Sequence, residues 1–381
     1  MTETLITYPG YLLFMPRKKT GHLAYLAGAE DIELQEYEVP SAEPGSIVAE
    51  IIRANVCGSE LHIWGGHHPV LNEAVLGHEA LCEVVELGEG VNEDYAGQPI
   101  SEGDIIAPVY FQTCRKCRYC RKGEFYQCEK VYDHWLNPPE ESPHFHGTFG
   151  THYYIHPDQY FYKVPETVDS GVAASANCAL SQILFGIDEI NLSHGESVVI
   201  QGAGGLGLNA IAVARECGAT PIVVEGVDSR IELAEEFGAE HVINFNEYDT
   251  VEKREERVKE LTGGLGADVG IEVAGVPPAF AEGTHLIRNG GRYLTMGNIN
   301  PGKETEVDPG MLTRKSIDIV PRVRYQPWYL HNALTFLENH ADEYPFEKLL
   351  DSTFALEDVD DAMEQSRGRE VTRASLTPQE K

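Results

Sequence analysis

The sequence is poor in basic residues. Of its 381 residues only 29 are Lys or Arg, against 61 Asp or Glu, which gives a formal net charge of −32. Nucleic acids and anionic membranes are bound through clustered basic side chains, so this balance argues against both as partners. A chance excess of surface carboxylates is one interpretation. We favour a cytoplasm at high salt, where screening removes the self-repulsion and dense carboxylates keep the surface hydrated.

Long apolar runs are also missing. No stretch approaches the roughly 20 apolar residues that span a bilayer. The first residues, MTETLITYPGYLLFMPRKK, carry early acids and lack a small-residue cleavage site. The sequence therefore predicts a cytoplasmic protein. In that compartment we expect its eight cysteines to bind metal or stay free rather than form disulfides.

Secondary-structure signals change along the chain. The first half has short β-type runs between Pro and Gly turns, such as residues 45–52 and 81–87. From about residue 175, apolar runs alternate with helical stretches at the spacing of βαβ units, which predicts a doubly wound parallel sheet. Its predicted strands are 197–200, 221–224, 268–273 and 291–296, with helices at 208–217 and 229–237. Beyond residue 321 the alternation ends, and helices predicted at 330–339 and 357–366 are expected to pack back on the first half.

The fragment GAGGLG, residues 202–207, lies directly between a predicted strand and a predicted helix. A lone G-x-G-x-x-G is weak evidence, but in this position it predicts a dinucleotide-binding loop. Gly202 would permit the tight turn, Gly204 the approach of backbone to the pyrophosphate, and Gly207 close helix–strand packing. Gly205 and Leu206 complete the loop, where phosphates would meet free N–H groups at the start of the helix.

Glu225 ends the next predicted strand, 18 residues after Gly207. An acid there accepts hydrogen bonds from the ribose hydroxyls and repels a 2′-phosphate, so NAD is preferred as the cofactor. A plain surface carboxylate is the alternative interpretation. Arg230, about one helical turn further on, could cover the adenosine or partly restore NADP binding, which leaves NADP as the second choice.

Four cysteines lie close together in a basic loop with the spacing C-x2-C-x2-C-x7-C. They are Cys114, Cys117, Cys120 and Cys128. Four thiolates can close a tetrahedral shell around Zn²⁺ with no open position, which predicts a structural zinc. The neighbouring Arg and Lys side chains would offset the negative charge of such a site. An iron–sulfur cluster is the alternative for this set of ligands.

A second group of potential ligands, Cys57, His78 and Cys178, is dispersed along the sequence. Each alone could be an ordinary buried or turn residue. Two thiolates and one imidazole would leave the fourth position of a zinc ion open for a substrate oxygen. Together with a dinucleotide loop, the three residues predict a catalytic zinc.

These motifs resemble those of the zinc-containing medium-chain alcohol dehydrogenases over nearly the whole chain. The first zinc ligand of that family lies in a C-G-[ST]-D motif, matched by residues 57–60 with Glu in place of Asp. The second lies in a G-H-E motif that matches His78, and Cys178 matches the third. The four-cysteine lobe also matches, cysteine by cysteine.

The resemblance implies roles for three further residues. Glu79 matches the acid behind the metal, where it would tune the zinc as a neighbouring charge. Ser59 and His62 fall where the family has its proton relay. The implied reaction is hydride transfer between an alcohol, secondary or cyclic alcohols being favoured, and a nicotinamide cofactor, with zinc as the Lewis acid that activates the alcohol.

The resemblance also implies the α/β architecture and the assembly. Residues 1–179 would form a mainly β, GroES-like catalytic domain with the zinc lobe. Residues 180–322 would form a Rossmann domain with a doubly wound parallel sheet, and residues 323–381 would return to the catalytic domain. Two Zn²⁺ ions per chain, one catalytic and one structural, are implied, and the chain is expected to form a homodimer or homotetramer.

The sequence departs from the family pattern after the lobe. The turn usually written G-G-[FY]-[AS]-[EQ]-Y reads GTFGTHY at residues 147–153, and an extra aromatic, histidine-rich stretch precedes it at residues 132–146. These departures concern the substrate pocket, for which the candidate apolar walls are Trp64, Tyr132 and Trp135. His67 and His68 belong to no motif and are interpreted as ordinary surface or core residues.

Other functions stay open at this point. A sugar, polyol or amino-alcohol dehydrogenase would use the same residues and differ only in the pocket. A zinc-free reductase of the same superfamily is not favoured, because it would lack the metal cysteines and the relay, and this chain has both. A non-enzymatic, zinc-stabilised binding protein would have lost one of the catalytic-type residues, and none is lost.

Overall fold

The computed structural model describes residues 19–299 and 301–379. The expectation that the chain starts without a leader concerns residues outside this range. Within the range, none of the helices combines the length and the apolar character needed to cross a bilayer.

The described residues contain sixteen strands, ten α-helices and several shorter turns. The strands are β1 (Thr20–Gly28), β2 (Asp31–Glu38), β3 (Ile47–Asn55), β4 (Ala74–Val75), β5 (Glu79–Leu87), β6 (Ile105–Pro108), β7 (His152–Ile155), β8 (Phe161–Lys163), β9 (Ser197–Gln201), β10 (Thr220–Glu225), β11 (His241–Asn244), β12 (Ala267–Glu272), β13 (Ile287–Thr295), β14 (Asp318–Pro321), β15 (Ser352–Phe354) and β16 (Ala374–Leu376). The helices are α1 (Gly58–Trp64), α2 (Ser170–Ala173), α3 (Ser181–Glu189), α4 (Gly205–Glu216), α5 (Asp228–Glu236), α6 (Val251–Leu261), α7 (Pro277–Leu286), α8 (Pro309–Lys315), α9 (Tyr329–His340) and α10 (Val359–Gly368). One π-helical turn, Ala176–Leu180, precedes α3, and 3₁₀ turns lie at Cys120–Lys122, Phe125–Gln127, Phe346–Leu349 and Leu356–Asp358.

Six parallel strands form the sheet of the second half, in the order β11-β10-β9-β12-β13-β14. The chain starts at the central strand β9, moves outward to β11 and then returns to the other side through β12. Helices cover both faces, which is why the apolar stretches of β9 and β10 are buried throughout. The predicted doubly wound sheet is confirmed. The sheet also contains β11 and β14, which were not predicted because strands this short give no apolar run in the sequence.

The first half forms a mainly antiparallel sheet in the order β15-β16-β3-β5-β6-β8, with β7 also paired to β3. A smaller sheet has the order β2-β1-β4. The two strands at the end of the chain join the large sheet, where Ser375 of β16 lies opposite Asn55 of β3. The C-terminal segment therefore returns to the first half.

The two C-terminal helices pack at different places. Helix α10 contacts β16 and α1, so it lies on the first half as expected. Helix α9 instead contacts α3, α2 and the π-helical turn, where the two halves meet. Its buried face recurs every three to four residues, and these buried side chains are Leu330, Ala333, Leu334 and Leu337. The helix predicted at 357–366 starts at Val359, because the residues before it form a 3₁₀ turn.

Candidate active site

Cys57, His78 and Cys178 lie next to one another although they come from three separate elements. The Sγ atom of Cys57 is 4.0 Å from that of Cys178, and Nε2 of His78 is 3.3 Å from the Cys178 Sγ. Zinc–sulfur bonds of tetrahedral geometry place two sulfurs roughly 3.8 Å apart. The donor atoms, including one carboxylate oxygen of Glu79, are all within 4.8 Å of one another. The donor set and its spacing fit a zinc ion.

Local structure holds each of these side chains. Cys57 directly precedes α1, and its backbone N–H donates to Glu60 Oε2 at 3.0 Å. Cys178 lies in the π-helical turn, and the neighbouring Asn177 holds this turn in place. The side-chain N–H of Asn177 donates to the carbonyl of Ala80 at 2.8 Å, and the backbone carbonyl of Asn177 accepts from the hydroxyl of Tyr325. The turn is therefore tied to the strand that follows His78.

Glu60 contacts the cluster, although in the sequence it stands out only as a departure from the family motif. Its buried carboxylate forms a hydrogen bond with Nδ1 of His78, which leaves Nε2 of the imidazole directed at the sulfur of Cys178. Burial acts to lower the pKa of His78, but Glu60 and Cys57 outweigh it and the pKa lies well above its usual range. Glu60 thus orients the imidazole.

The two sulfurs of this cluster differ in acidity. The hydrogen bond with Cys178 holds the pKa of Cys57 well below its usual range, against the effect of burial. The same contact, together with burial, raises the pKa of Cys178 well above it. Cys57 is therefore the thiol that ionises first.

Glu79 is fully buried behind the cluster and forms an ion pair with Arg373, which directly precedes β16. The side-chain N–H of Asn55 donates to its other oxygen at 3.3 Å. Burial raises the pKa of Glu79 to about 7, although Arg373 opposes that rise. Arg373 could not be predicted as this partner, because it lies 294 positions away from Glu79 and belongs to no motif.

Ser59 and His62 lie one turn apart on α1, so both face the same side of that helix. Both side chains are half-buried and line the cleft beside Cys57. Burial lowers the pKa of His62, and Lys303 adds to this effect. A neutral imidazole at the edge of the cleft is able to accept a proton.

The glycine loop lies between β9 and α4. Gly202 has a φ of +100°, a conformation that favours glycine, and a Cβ on Gly207 would lie 2.0 Å from the carbonyl oxygen of Gly202. Helix α4 begins at Gly205, three residues earlier than predicted, so Gly205 and Leu206 form its first turn. The free N–H groups of that turn border the cleft, which Gly204 also lines.

Glu225 is buried at the end of β10 and is not a plain surface carboxylate. It accepts hydrogen bonds from the backbone N–H groups of Ala203, Gly226 and Val227, at 2.9, 2.8 and 3.1 Å. These bonds tie the glycine loop to the strand end. Arg230, on α5, lines the cleft, and its guanidinium has no hydrogen bond or ion pair within the described residues.

One cleft of about 470 Å³ joins the two sites: the cysteine–histidine cluster lies on one side of it and the glycine loop on the other. Tyr132 and Trp135 line this cleft as expected, but Trp64 does not. The ring of Trp64 is directed into the core and is covered by the guanidinium of Arg367, whose carbon is 4.6 Å from the ring centroid. His68, interpreted from the sequence as an ordinary residue, lines the cleft, whereas His67 is exposed.

The four-cysteine lobe forms a second donor cluster away from the cleft. Its sulfur atoms lie within 4.8 Å of one another. Backbone N–H groups point at three of them: Cys117 N to Cys114 Sγ at 3.2 Å, Cys114 N to Cys128 Sγ at 3.2 Å and Cys120 N to Cys117 Sγ at 3.5 Å. N–H donors of this kind stabilise thiolates. None of the four cysteines lines the cleft. Four sulfurs in this position fit a closed, structural metal site.

The fold combines a parallel and a mainly antiparallel sheet, and the glycine loop and the metal-type donor cluster border one shared cleft. This is the architecture of a dinucleotide-dependent dehydrogenase. Residues 43–166 match the family model of the alcohol dehydrogenase GroES-like domain, and residues 205–339 match that of zinc-binding dehydrogenases. An alcohol dehydrogenase of Thermotoga maritima, known from a crystal structure, superposes with a TM-score of 0.89 at 31% identity over 95% of this chain and 100% of that one.

The curated relatives that match this chain are also dehydrogenases. The chain is 32% identical to L-threonine 3-dehydrogenase of Pyrococcus horikoshii over 308 residues, 78% of this chain and 82% of that protein. It is 29% identical to 5-exo-hydroxycamphor dehydrogenase of Pseudomonas putida over 342 residues, 88% and 93% of the two chains. Sorbitol dehydrogenase of Halalkalibacterium halodurans is 28% identical over 362 residues, 94% and 96%. The chain belongs to the zinc-containing medium-chain alcohol dehydrogenases.

Proposed function

We propose that the protein transfers a hydride between an alcohol, secondary or cyclic alcohols being favoured, and NAD, with a catalytic zinc at Cys57, His78 and Cys178. One observation carries this proposal: the donor cluster and the glycine loop border the same cleft. A substrate bound at the cluster would therefore be next to a cofactor bound at the loop, which is the proximity that hydride transfer needs.

The residues around the cluster support a zinc ion there. Two sulfurs and an imidazole supply three ligands, and Glu79 lies near enough to serve as a fourth or as a neighbouring charge. When bound, the zinc supplies a Lewis acid that lowers the pKa of an alcohol hydroxyl. The four sulfurs of Cys114, Cys117, Cys120 and Cys128 would hold a second, structural zinc.

The side chains of α1 would handle the proton of the alcohol. Ser59, next to the cluster, would accept that proton and release its own toward His62 and solvent. Because burial lowers the pKa of His62, its imidazole is neutral at neutral pH and can act as the acceptor. Glu60 would keep His78 oriented, and Arg373 would balance the charge of Glu79.

The loop and the end of β10 support NAD as the preferred cofactor. The first turn of α4 offers N–H groups to a pyrophosphate, and the carboxylate of Glu225, fixed by three backbone N–H groups, would receive the ribose hydroxyls and repel a 2′-phosphate. Comparing kcat/KM for NAD and NADP tests this preference. Glu225→Ser should shift the ratio toward NADP, whereas an unchanged ratio would contradict the role of Glu225.

The proposed reaction is tested by a screen of primary, secondary and cyclic alcohols and polyols for NAD and NADP reduction. The zinc content per chain is measured on the same preparation. We expect turnover of at least one alcohol class by protein that holds two zinc ions. If zinc-loaded protein reduces neither cofactor with any of them, the proposed function is wrong.

A polyol, sugar or amino-alcohol substrate is the second candidate. The similarity to the sorbitol dehydrogenase and the L-threonine 3-dehydrogenase supports it. The same residues would carry out the chemistry, and only the walls of the cleft would differ. The substrate screen separates these classes directly.

The proposed setting of the enzyme is a high-salt cytoplasm. The net charge of −32 supports it, because mobile ions would screen the repulsion between carboxylates. Equal stability and activity in low salt and in molar KCl would contradict it. We further propose a homodimer or homotetramer, which sedimentation or light scattering would test.

We also propose domain boundaries near residues 179 and 322. The sheets support this division: β9 to β14 form the parallel sheet, whereas β15 and β16, from the end of the chain, pair with the sheet of the first half. Limited proteolysis should release a fragment close to residues 180–322 if the division is right.

A further inference from the structure

The charge of the cleft is opposite to that of the chain. Although acidic residues outnumber basic ones by 61 to 29, no Asp or Glu of the described chain lines the cleft, and Glu79 and Glu225 are buried outside its lining. Five arginines do, and these are Arg230, Arg324, Arg367, Arg369 and Arg373. A cleft with this lining attracts anions and disfavours ligands that carry an ammonium group.

Not all of these arginines are available to a ligand beside the metal cluster. Arg373 is paired with Glu79, and Arg367 with Glu30 and Glu364. Arg230 lies five positions after Glu225, in the region where the proposed cofactor would place its adenosine. Arg369 is exposed at the end of α10. Arg324 differs from all of them, because it is held among the aromatic residues that lead to the cluster.

Arg324 is fixed by uncharged partners. Its Nε–H donates to the carbonyl oxygen of Tyr126 at 2.9 Å, and one Nη donates to the hydroxyl of Tyr132 at 3.2 Å. Its guanidinium carbon lies 5.3 Å from the centroid of the Tyr132 ring. Within the described residues it has no carboxylate partner. The side chain is therefore held in place while its charge is unneutralised, and little further entropy would be lost on binding an anion.

The backbone at Arg324 is also constrained. Its φ is +58°, a left-handed conformation that is uncommon for a side chain other than glycine and that concentrates at functional positions. The next residue, Tyr325, donates its hydroxyl hydrogen bond to the carbonyl of Asn177, the neighbour of Cys178. The position of the guanidinium is thus tied to the turn that carries one of the cluster sulfurs.

A continuous aromatic wall connects Arg324 to the cluster. From Tyr132, under the guanidinium, the wall continues to Trp135, with 6.0 Å between ring centroids, and from Trp135 to His78, with 5.9 Å. Tyr132 and Trp135 belong to the extra stretch at residues 132–146, in which the sequence departs from the family pattern. The hydroxyl and the ring of Tyr132, which hold Arg324, therefore belong to this stretch.

We propose that the substrate is an alcohol that also carries an anionic group, a carboxylate or a phosphate, and that Arg324 binds this group while the hydroxyl lies at the cysteine–histidine cluster. This inference rests on the proposed function and names the substrate class of the same site. A charge-assisted, planar hydrogen-bond pair between guanidinium and anion supplies the recognition. An amino alcohol without an anionic group finds no carboxylate in this cleft.

The test compares kcat/KM for three secondary alcohols at one fixed salt concentration: 3-hydroxybutyrate, glycerol 3-phosphate and uncharged 2-pentanol. We expect the wild-type protein to prefer at least one of the two anions. Arg324→Met should lower kcat/KM for that anion about 10- to 100-fold, mainly through KM, as expected for the loss of a hydrogen bond to a charged group. The value for 2-pentanol should change less than about threefold, and Arg324→Lys should restore part of the loss.

Two further variants make the comparison specific. Tyr132→Phe removes only the hydroxyl that anchors Arg324, and should lower kcat/KM for the preferred anion by a smaller factor than Arg324→Met does. Arg322→Met is the matched control, because Arg322 lies two positions earlier, is paired with Glu189 and does not line the cleft. Melting temperature and zinc content are measured for every variant to show that the fold is retained, and Tyr132→Phe carries the test if Arg324→Met does not fold.

The outcomes separate the two proposals. Preference for 2-pentanol over both anions, or an equal loss for charged and uncharged substrates in Arg324→Met, overturns the role of Arg324 while alcohol oxidation stands. No cofactor reduction with any alcohol in the wider screen overturns the proposed function itself. A preference for 3-hydroxybutyrate would identify the anionic group as a carboxylate, and a preference for glycerol 3-phosphate would identify it as a phosphate.

Discussion

The two cysteine clusters are built in different ways. In the lobe, four cysteines lie within residues 114–128, and backbone N–H groups of the same short segment point at their sulfurs. In the cleft, Cys57, His78 and Cys178 come from three distant parts of the chain and are held by side chains such as Glu60. The lobe is thus a product of local turns, whereas the cleft cluster forms only when distant segments of the first half fold against one another.

This difference predicts which property each cluster controls. A metal in the lobe would stabilise a short segment that is built mainly of turns. A metal in the cleft would add chemistry to a region whose position is already determined by the two sheets. Removing ligands from one cluster should therefore change stability, and removing them from the other should change catalysis.

The largest effect is expected for Cys57→Ser. Loss of one sulfur from a three-ligand site should reduce the bound zinc from two ions to one per chain and lower kcat/KM at least about 1000-fold. Elemental analysis and steady-state kinetics measure both quantities. Cys217→Ser is the matched control, because Cys217 is half-buried and belongs to neither cluster. Wild-type activity in Cys57→Ser would contradict the catalytic role of the cluster.

A substitution in the lobe should have the opposite profile. Cys120→Ser should also reduce the zinc content to one ion, but its main consequence should be a loss of roughly 3 kcal/mol in unfolding free energy, about 4 °C in Tm for a chain of 381 residues. Calorimetry and kinetics at 25 °C separate the two effects. If this variant keeps its Tm and loses activity as completely as Cys57→Ser, the lobe is not a structural site.

A smaller effect is expected when the support of the cleft cluster is weakened without removing a ligand. Glu60→Gln keeps a hydrogen-bonding side chain but removes the charge that orients His78, so zinc affinity at the cleft should fall about 10- to 100-fold. Chelator competition measures this affinity, and the second ion, in the lobe, should be retained. The control is Glu260→Gln, on the exposed face of α6. Equal affinity in both variants would show that Glu60 does not act on the metal.

The same contrast explains how far the sequence could be interpreted. The spacing of the lobe cysteines and of the glycine loop is visible in the sequence because each lies in one short segment. No local pattern links Cys57, His78 and Cys178, so they could be grouped only by their ligand types beside a dinucleotide loop and by the resemblance to a family. The structure brings them together, but their roles as zinc ligands are still predictions.

Other features depend on packing and could not be predicted. The pairing of Arg373 with Glu79 joins the end of the chain to its first half. Trp64 was expected in the pocket, but it lies on the face of α1 that packs into the core. The strands β11 and β14 are four residues each, too short for a periodicity signal. In each case the neighbours of a residue, rather than its own type, determine its place.

The smallest of these effects is expected at His62, because solvent can replace the end of a proton relay. His62→Gln should lower kcat for alcohol oxidation less than about tenfold. In the wild type, protonation of His62 removes the acceptor, so kcat should fall as the pH drops through its pKa, which burial places below the ordinary value of 6.5. A profile of kcat against pH from 5 to 8 should therefore show an acid-side decline that is absent from the variant. His67→Gln, exposed and outside the cleft, should keep the wild-type profile. An unchanged acid limb in His62→Gln would assign that decline to another group and leave Ser59 in direct exchange with water.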